Sequence, residues 1–219
     1  MQGIRCVFFD IGYTLVDEDD VWQQRCREQA ETEEAKRLGL TPGRLYAAIE
    51  EAARAYQPQY RSVVARYGLT RVAPYRHAYE KLYPDAKLVL QALANRFVLG
   101  IIANQADGLR DRLRSWGIEP FFTHIVSSWD VRLMKPDPRL FHLALNRAGC
   151  PADAAVMVGD RLDNDIAPAR AVGMQTVWIR QGFGGLQVPR SDAYRPDQTI
   201  QCLRDLLPLL SMNPDSELS

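Results

Sequence analysis

The 219-residue chain has no net charge at pH 7, with Lys+Arg and Asp+Glu at 27 each. Without a basic surplus there is no general field for nucleic acid or an anionic membrane, so neither is expected as a partner and any anion must be held locally. Cysteine is scarce, and Cys6, Cys26, Cys150 and Cys202 lack the paired spacing of a zinc site or a disulfide framework. They read as reduced structural thiols of a cytoplasmic protein. The three histidines, His77, His124 and His142, have no metal-ligand spacing and read as structural or surface residues. No apolar run reaches the roughly 20 residues of a membrane-spanning helix. The short N-terminal run carries Asp10 inside it, against a signal peptide. Internal repeats and low-complexity tracts are missing as well. Lysine is rare too: four of the 27 basic residues, Lys36, Lys81, Lys87 and Lys135, so the place of each is informative.

What is present is a 47% apolar content, enough for a core in one domain with a modest insertion or in two small domains. The organising stretch is Cys6-Val7-Phe8-Phe9-Asp10-Ile11-Gly12-Tyr13-Thr14-Leu15. Four apolar residues before a charge are too few for a helix core and read as a strand buried on both faces of a parallel sheet. Asp10 then stands at the C-terminal strand edge, where ligands bind in open α/β sheets. A turn-forming aspartate is the alternative reading at this point.

From Asp17 to about Leu38 the pattern is helical, with Asp17, Glu18, Asp19 and Asp20 placing negative charge at the helix start. Thr41-Pro42 opens a second helix whose Leu45, Ile49, Ala52 and Ala53 share one face, and shorter helical pieces are expected at 60–67 and 73–82. Residues 16–83 thus read as a helical module set into a core formed by 1–15 and 84–210, with 211–219 as a frayed tail. Trp22, Tyr46, Tyr56 and Tyr60 read as bundle core. Beyond Tyr83-Pro84, helices alternate with strands at 97–102, 124–126, 155–158 and 176–179, and a last helix is expected near 198–210. Such alternation predicts an α/β, Rossmann-like parallel sheet of five strands or slightly more, with helices on both faces.

Asp10, Asn104, Lys135, and Asp160 with Asp165 all fall at or just beyond strand ends, which form one edge in space. In Gly159-Asp160-Arg161-Leu162-Asp163-Asn164-Asp165, two carboxylates lie on the loop and first turn after a strand. Hard oxygen ligands of this kind suit Mg²⁺, and Lys135 supplies a compact positive charge against them. Taken singly, Lys-Pro also reads as a solvated loop and the Asp-rich turn as a helix cap.

In their order, these residues resemble the haloacid dehalogenase-like (HAD) hydrolase superfamily, subfamily I with an α-helical C1-type cap. The first motif, Asp-x-Asp-x-Thr, is matched by Asp10-Ile11-Gly12-Tyr13-Thr14; the second by Ala103-Asn104; the third by Lys135-Pro136; the fourth by Gly159-Asp160 with Asp165. The match extends over essentially the whole chain. It implies a Mg²⁺-dependent hydrolase acting on a small phosphorylated metabolite, as monomer or homodimer. Asp10 would form an aspartyl-phosphate, with Mg²⁺ held by Asp10, the backbone carbonyl of Gly12, Asp160 and, directly or through water, Asp165. Lys135 and Asn104 would bind the phosphoryl oxygens.

Two positions depart from the pattern. Gly12 stands where the family has its proton-transferring aspartate, a function typically worth ~10²- to 10⁴-fold. Ala103 removes a hydroxyl expected to hydrogen-bond the phosphoryl group. Weakened acid–base chemistry, a preference for aryl or acyl phosphates and a long-lived aspartyl-phosphate are the resulting expectations. Tyr13, next in sequence, points to the opposite side of an extended segment and is not expected to replace the acid. Two alternatives remain: a non-catalytic metabolite- or partner-binding protein, and a 2-haloacid dehalogenase-type hydrolase. For a second anionic group on the substrate, Arg44, Arg54, Arg61, Arg66 and Arg76 are the candidates from the helical module.

Overall fold

Residues 1 and 3–211 are described by the computed structural model of the chain. The first strand, β1 (Cys6–Phe9), is followed by a two-residue strand β2 (Val16–Asp17) and four helices, α1 (Asp19–Ala30), α2 (Glu33–Arg37), α3 (Pro42–Arg54) and α4 (Gln59–Tyr67). A second short strand, β3 (Lys81–Leu82), leads to α5 (Ala86–Ala94), β4 (Val98–Ala103), α6 (Leu109–Ser115), β5 (His124–Ser127), α7 (Ser128–Val131) and α8 (Pro138–Ala148). The chain then forms β6 (Ala155–Gly159), α9 (Ala167–Ala171), β7 (Gln175–Ile179), β8 (Gln198–Ile200) and α10 (Leu206–Ser211).

Six strands make one parallel sheet in the order β5-β4-β1-β6-β7-β8. Side chains alternate across a strand, so each apolar run feeds two cores. Val7, Phe9, Leu99, Ile101, Val156 and Val158 pack with α5, α6 and α10, through Leu90, Leu113 and Leu206 among others. Cys6, Phe8, Ile102 and Met157 pack on the other face with Leu140, Phe141 and Ala144 of α8 and Ala169 of α9. Burial on both faces explains why the strands read as continuous apolar runs. β1 lies between β4 and β6, so the crossovers leave it in opposite directions and open a crevice at its C-terminal end.

The helices α1–α4 share a separate core built on Cys26, Ala30, Leu45, Ile49, Ala53, Tyr60 and Val63, joined by Tyr13 and Phe183 from outside them. Its buried Gln29 is fully engaged: the side chain donates to the Arg71 carbonyl (2.8 Å) and accepts from Ala73 N (2.8 Å) and the Tyr60 hydroxyl (2.7 Å). Such satisfaction is what a buried amide requires. The module connects to the sheet through the antiparallel β2–β3 pair, Val16 opposite Leu82 and Asp17 opposite Lys81.

Several expectations are corrected. The helix expected over 17–38 is two, because Thr32 interrupts it and caps α2 by accepting from Ala35 N. Residues 73–82 hold only a short 3₁₀ turn at His77–Tyr79 before β3. The segment expected to begin the last helix, Gln198–Ile200, is instead the sixth strand, paired with β7, and the helix proper starts at Leu206. The tail expected over 211–219 falls, from residue 212 on, outside the described residues.

Candidate active site

Four segments end at the crevice beyond β1. The apolar strand β1 delivers Asp10, whose backbone N–H donates to the Val158 carbonyl of the neighbouring strand (3.0 Å). Asn104 follows β4, and Lys135 lies on the loop between α7 and α8. After β6 the chain makes a wide turn over Leu162–Ile166 that returns Asp165 toward the strand end. Gly159 permits that return, since a Cβ there would collide with the Asp165 side chain.

Lys135 is the electrostatic centre. Its Nζ donates to Asp10 Oδ1 (2.6 Å) and Asp165 Oδ1 (2.5 Å), and its side chain is only 2% exposed. Burial alone would lower the lysine's pKa, but the carboxylates of Asp10 and Asp165 overcome it and hold the ammonium above its ordinary value. The second oxygen of Asp165 accepts from Arg161 N (2.9 Å). Burial, opposed by Lys135, brings Asp165 up to about 6. Asp160 is pushed well above the usual carboxylate range by burial and by Asp165 and Asp10. No hydrogen bond to its carboxylate occurs among the described residues.

Asn104 reaches the site with its side chain already committed. Its amide Nδ2 donates to the Lys135 carbonyl (2.9 Å) and its Oδ1 accepts from Lys135 N (2.7 Å), so it clamps the lysine's backbone. Ala103, buried at the end of β4, brings no hydroxyl, and the Ser127 oxygen beside it in register accepts from Trp129 N. Tyr13 adopts a left-handed conformation (φ 52°) that packs its ring on Phe183 and lets its hydroxyl donate to Asp19 (2.9 Å).

The crevice is a cavity of about 170 Å³. Asp10, Asn104, Lys135, Asp160 and Asp165 all line it, as does Gly12. The five arginines considered for a second anionic group do not: all are exposed, and Arg66 and Arg76 are paired with Glu51 and Glu28. Among the described residues the only cation besides Lys135 in the lining is Arg161, which is tied to Asp163 (3.0 and 2.6 Å).

Tyr13, whose left-handed backbone overturns the expected extended geometry, lines the cavity with Gln105 and Asn164, and so do Glu18, Trp22, Gln59 and Phe183, which the sequence did not signal as site residues. Glu18 stands just before α1, and Trp22 Nε1 donates to its Oε2 (3.0 Å). Burial, moderated by that hydrogen bond and reinforced by Glu80 and Asp10, pushes Glu18 up to about 7. An acidic run at a helix start reads as dipole compensation, which hides a residue turned inward.

A family model of haloacid dehalogenase-like hydrolases matches residues 7–179. The chain belongs to that family. Among HAD-like proteins it is 32% identical over 226 residues to the glyceraldehyde 3-phosphate phosphatase of Methanopyrus kandleri, covering 93% of this chain and 96% of that one. The crystal structure of a HAD phosphatase from Thermococcus onnurineus aligns with TM-score 0.66 at 25% identity, over 95% of this chain and 98% of that one. A 2-haloacid dehalogenase from Pseudomonas syringae aligns with TM-score 0.61 at 28% identity, over 94% and 98%. This HAD-like chain is a hydrolase on a six-stranded Rossmann-like sheet.

Proposed function

We propose that this HAD-like hydrolase is a Mg²⁺-dependent phosphatase that hydrolyses a small phosphomonoester through an aspartyl-phosphate on Asp10. The observation that carries the reading is the convergence of Asp10, Asp160 and Asp165, which offer carboxylate oxygens within 4.8 Å of one another, around the buried Lys135. One lysine cannot neutralise three carboxylates, and among the described residues Asp160 has no hydrogen-bond donor. A divalent cation with oxygen preference fits that deficit. Asp10, Asp160 and the Gly12 carbonyl would hold it, with Asp165, both of whose oxygens are engaged, reached through water. Bound there, Mg²⁺ supplies charge neutralisation between the phosphoryl group and the carboxylates.

Asp10 Oδ attacks phosphorus, the bond to the leaving oxygen breaks, and water then displaces the aspartate and releases inorganic phosphate. Lys135 spreads positive charge over Asp10 and the transferring group while Asn104 fixes its backbone. The cavity of about 170 Å³ suits a small substrate, and the absence from the described lining of any cation besides Lys135, tied to Asp10 and Asp165, and Arg161, tied to Asp163, suits an uncharged leaving group. Residues 16–83 would act as a cap that excludes water and selects the substrate through Trp22 and Gln59. The name of the Methanopyrus kandleri relative supports a small phosphorylated metabolite.

The test is phosphate release from p-nitrophenyl phosphate with Mg²⁺ or with EDTA, alongside intact mass after acid quench. A Mg²⁺-dependent phosphoryl adduct missing in Asp10→Asn is expected. Full turnover by Asp10→Asn would overturn the reading, and halide release from a 2-haloacid in EDTA would favour the dehalogenase type instead.

A further inference from the structure

We propose that Glu18 is the proton-transferring residue of this site, its carboxylate occupying the space that a side chain at position 12 would fill. The inference rests on the Asp10 reading above and adds to it the group that Gly12 lacks. Gly12 has an ordinary φ, so conformational freedom does not explain the glycine; close approach does. A Cβ built at position 12 would overlap the Glu18 carboxylate, with Cδ only 2.8 Å away. A carboxyl group is therefore present beside the nucleophile loop, brought from six residues further along.

Further observations show a carboxylate held for use rather than left over. Glu18 occupies the N-cap position of α1, yet its side chain makes no capping bond; the role of terminating the helix falls to Asp17, which accepts from Asp19 N (2.8 Å). Trp22 Nε1 fixes one oxygen, Oε2, at 3.0 Å. The other, Oε1, is the atom nearest the vacant Cβ position of Gly12. Trp22 itself packs edge-on against Tyr75 (5.8 Å) and Phe183 (5.5 Å), so the donor that aims Glu18 is held between two rings. Glu18 also shares the cavity lining with Asp10 and Lys135.

In the first step Asp10 bonds to phosphorus, the bond to the leaving oxygen breaks, and the proton of the Glu18 carboxyl passes to that oxygen to give the free alcohol. In the second, the Glu18 carboxylate takes a proton from water as the water oxygen bonds to phosphorus and the Asp10–phosphorus bond breaks. Glu18 ends protonated, Asp10 ionised, and phosphate leaves. The proton donor stands immediately after the β2 stem, so it belongs to the helical module and not to the sheet.

The experiment compares wild type, Glu18→Gln, the relocated double variant Gly12→Asp/Glu18→Ala, and Asp10→Asn, on p-nitrophenyl phosphate and on phenyl phosphate, whose leaving group is the more basic. Glu18→Gln should lose ~10²- to 10⁴-fold on phenyl phosphate. Its acid-quenched mass on p-nitrophenyl phosphate should show the phosphoryl adduct accumulating, because phosphorylation needs the proton least and hydrolysis lacks its base. The double variant should recover at least about tenfold of the phenyl phosphate loss. Equal losses on both substrates without adduct would overturn the proposal, as would a double variant no better than Glu18→Gln. Activity surviving in Asp10→Asn would sink the nucleophile assignment instead, whatever Glu18 does.

Discussion

Replacing Lys135 with methionine keeps the volume and removes the cation shared by Asp10 and Asp165 at 2.6 and 2.5 Å. The lysine is 2% exposed and Asp165 fully buried, so solvent cannot substitute. Deleting one partner of such a buried pair costs about 3–5 kcal/mol. At about 2–4 °C per kcal/mol for a chain of this size, the metal-free variant should melt about 6–20 °C lower near neutral pH. The deficit should depend on pH in a defined sense. Asp165 sits at about 6, and Asp160 too is raised well above its unfolded value. In the metal-free protein the folded state therefore keeps protons that the unfolded state releases, and stability falls as pH rises from about 4 through about 6. Without Lys135 the folded carboxyls hold their protons more tightly still, so the gap between variant and wild type widens from about pH 5 to about pH 8. Thermal melts followed by circular dichroism in EDTA at those two values measure it. A drop under about 2 °C, or the same drop at both, would refute the assignment of Lys135 as the compensating charge.

Three further outcomes follow from the same geometry. Asn104→Ala removes two hydrogen bonds to the Lys135 backbone at 2.9 and 2.7 Å, worth about 1–3 kcal/mol together; turnover of p-nitrophenyl phosphate should fall about 10- to 100-fold, and an unchanged rate would show that Lys135 is held without the clamp. Mg²⁺ should raise the melting temperature of the wild type more at about pH 8 than at about pH 5, since at the lower value the ion competes with protons on Asp160 and Asp165; a pH-independent rise would place the ion elsewhere. Gly12→Ala should displace Glu18 and cost about 1–3 kcal/mol in chemical denaturation, whereas a neutral result would mean that the glutamate is free to move aside.

Much of the sheet was legible because each strand interior is buried on both faces, which compresses the signal into short apolar runs ending on polar residues. Asp10, Asn104, Lys135, Asp160 and Asp165 stood out for the same reason: each marks where such a run, or the loop beyond it, reaches the open edge. β8 was not legible, because only Ile200 of Gln198–Ile200 is buried and an edge strand needs no apolar run. The pairs Val16–Asp17 and Lys81–Leu82 are too short to carry periodicity. The break at Thr32 is a capping signal inside an otherwise continuous polar-helical pattern. Glu18 was hidden by its neighbours, three aspartates that advertise a helix start, and only the position of Gly12 relative to it in space separates the inward carboxylate from the outward ones.

The β2–β3 pair has an architectural consequence. Val16 and Leu82 face one another across it, so the chain departs from and rejoins the sheet at a single hydrogen-bonded point. A two-strand doorway of this kind makes everything beyond it exchangeable: a tight turn could close the stem, and a different insert could be grafted there without altering the register of any strand in the sheet. Exchange would not be free, because Phe183, from the loop after β7, lies 2% exposed in the core that the helices bring with them. A graft that ignored this aromatic would leave it in water, so Phe183, together with Tyr13 from the other side of the stem, sets what kind of insert the sheet accepts.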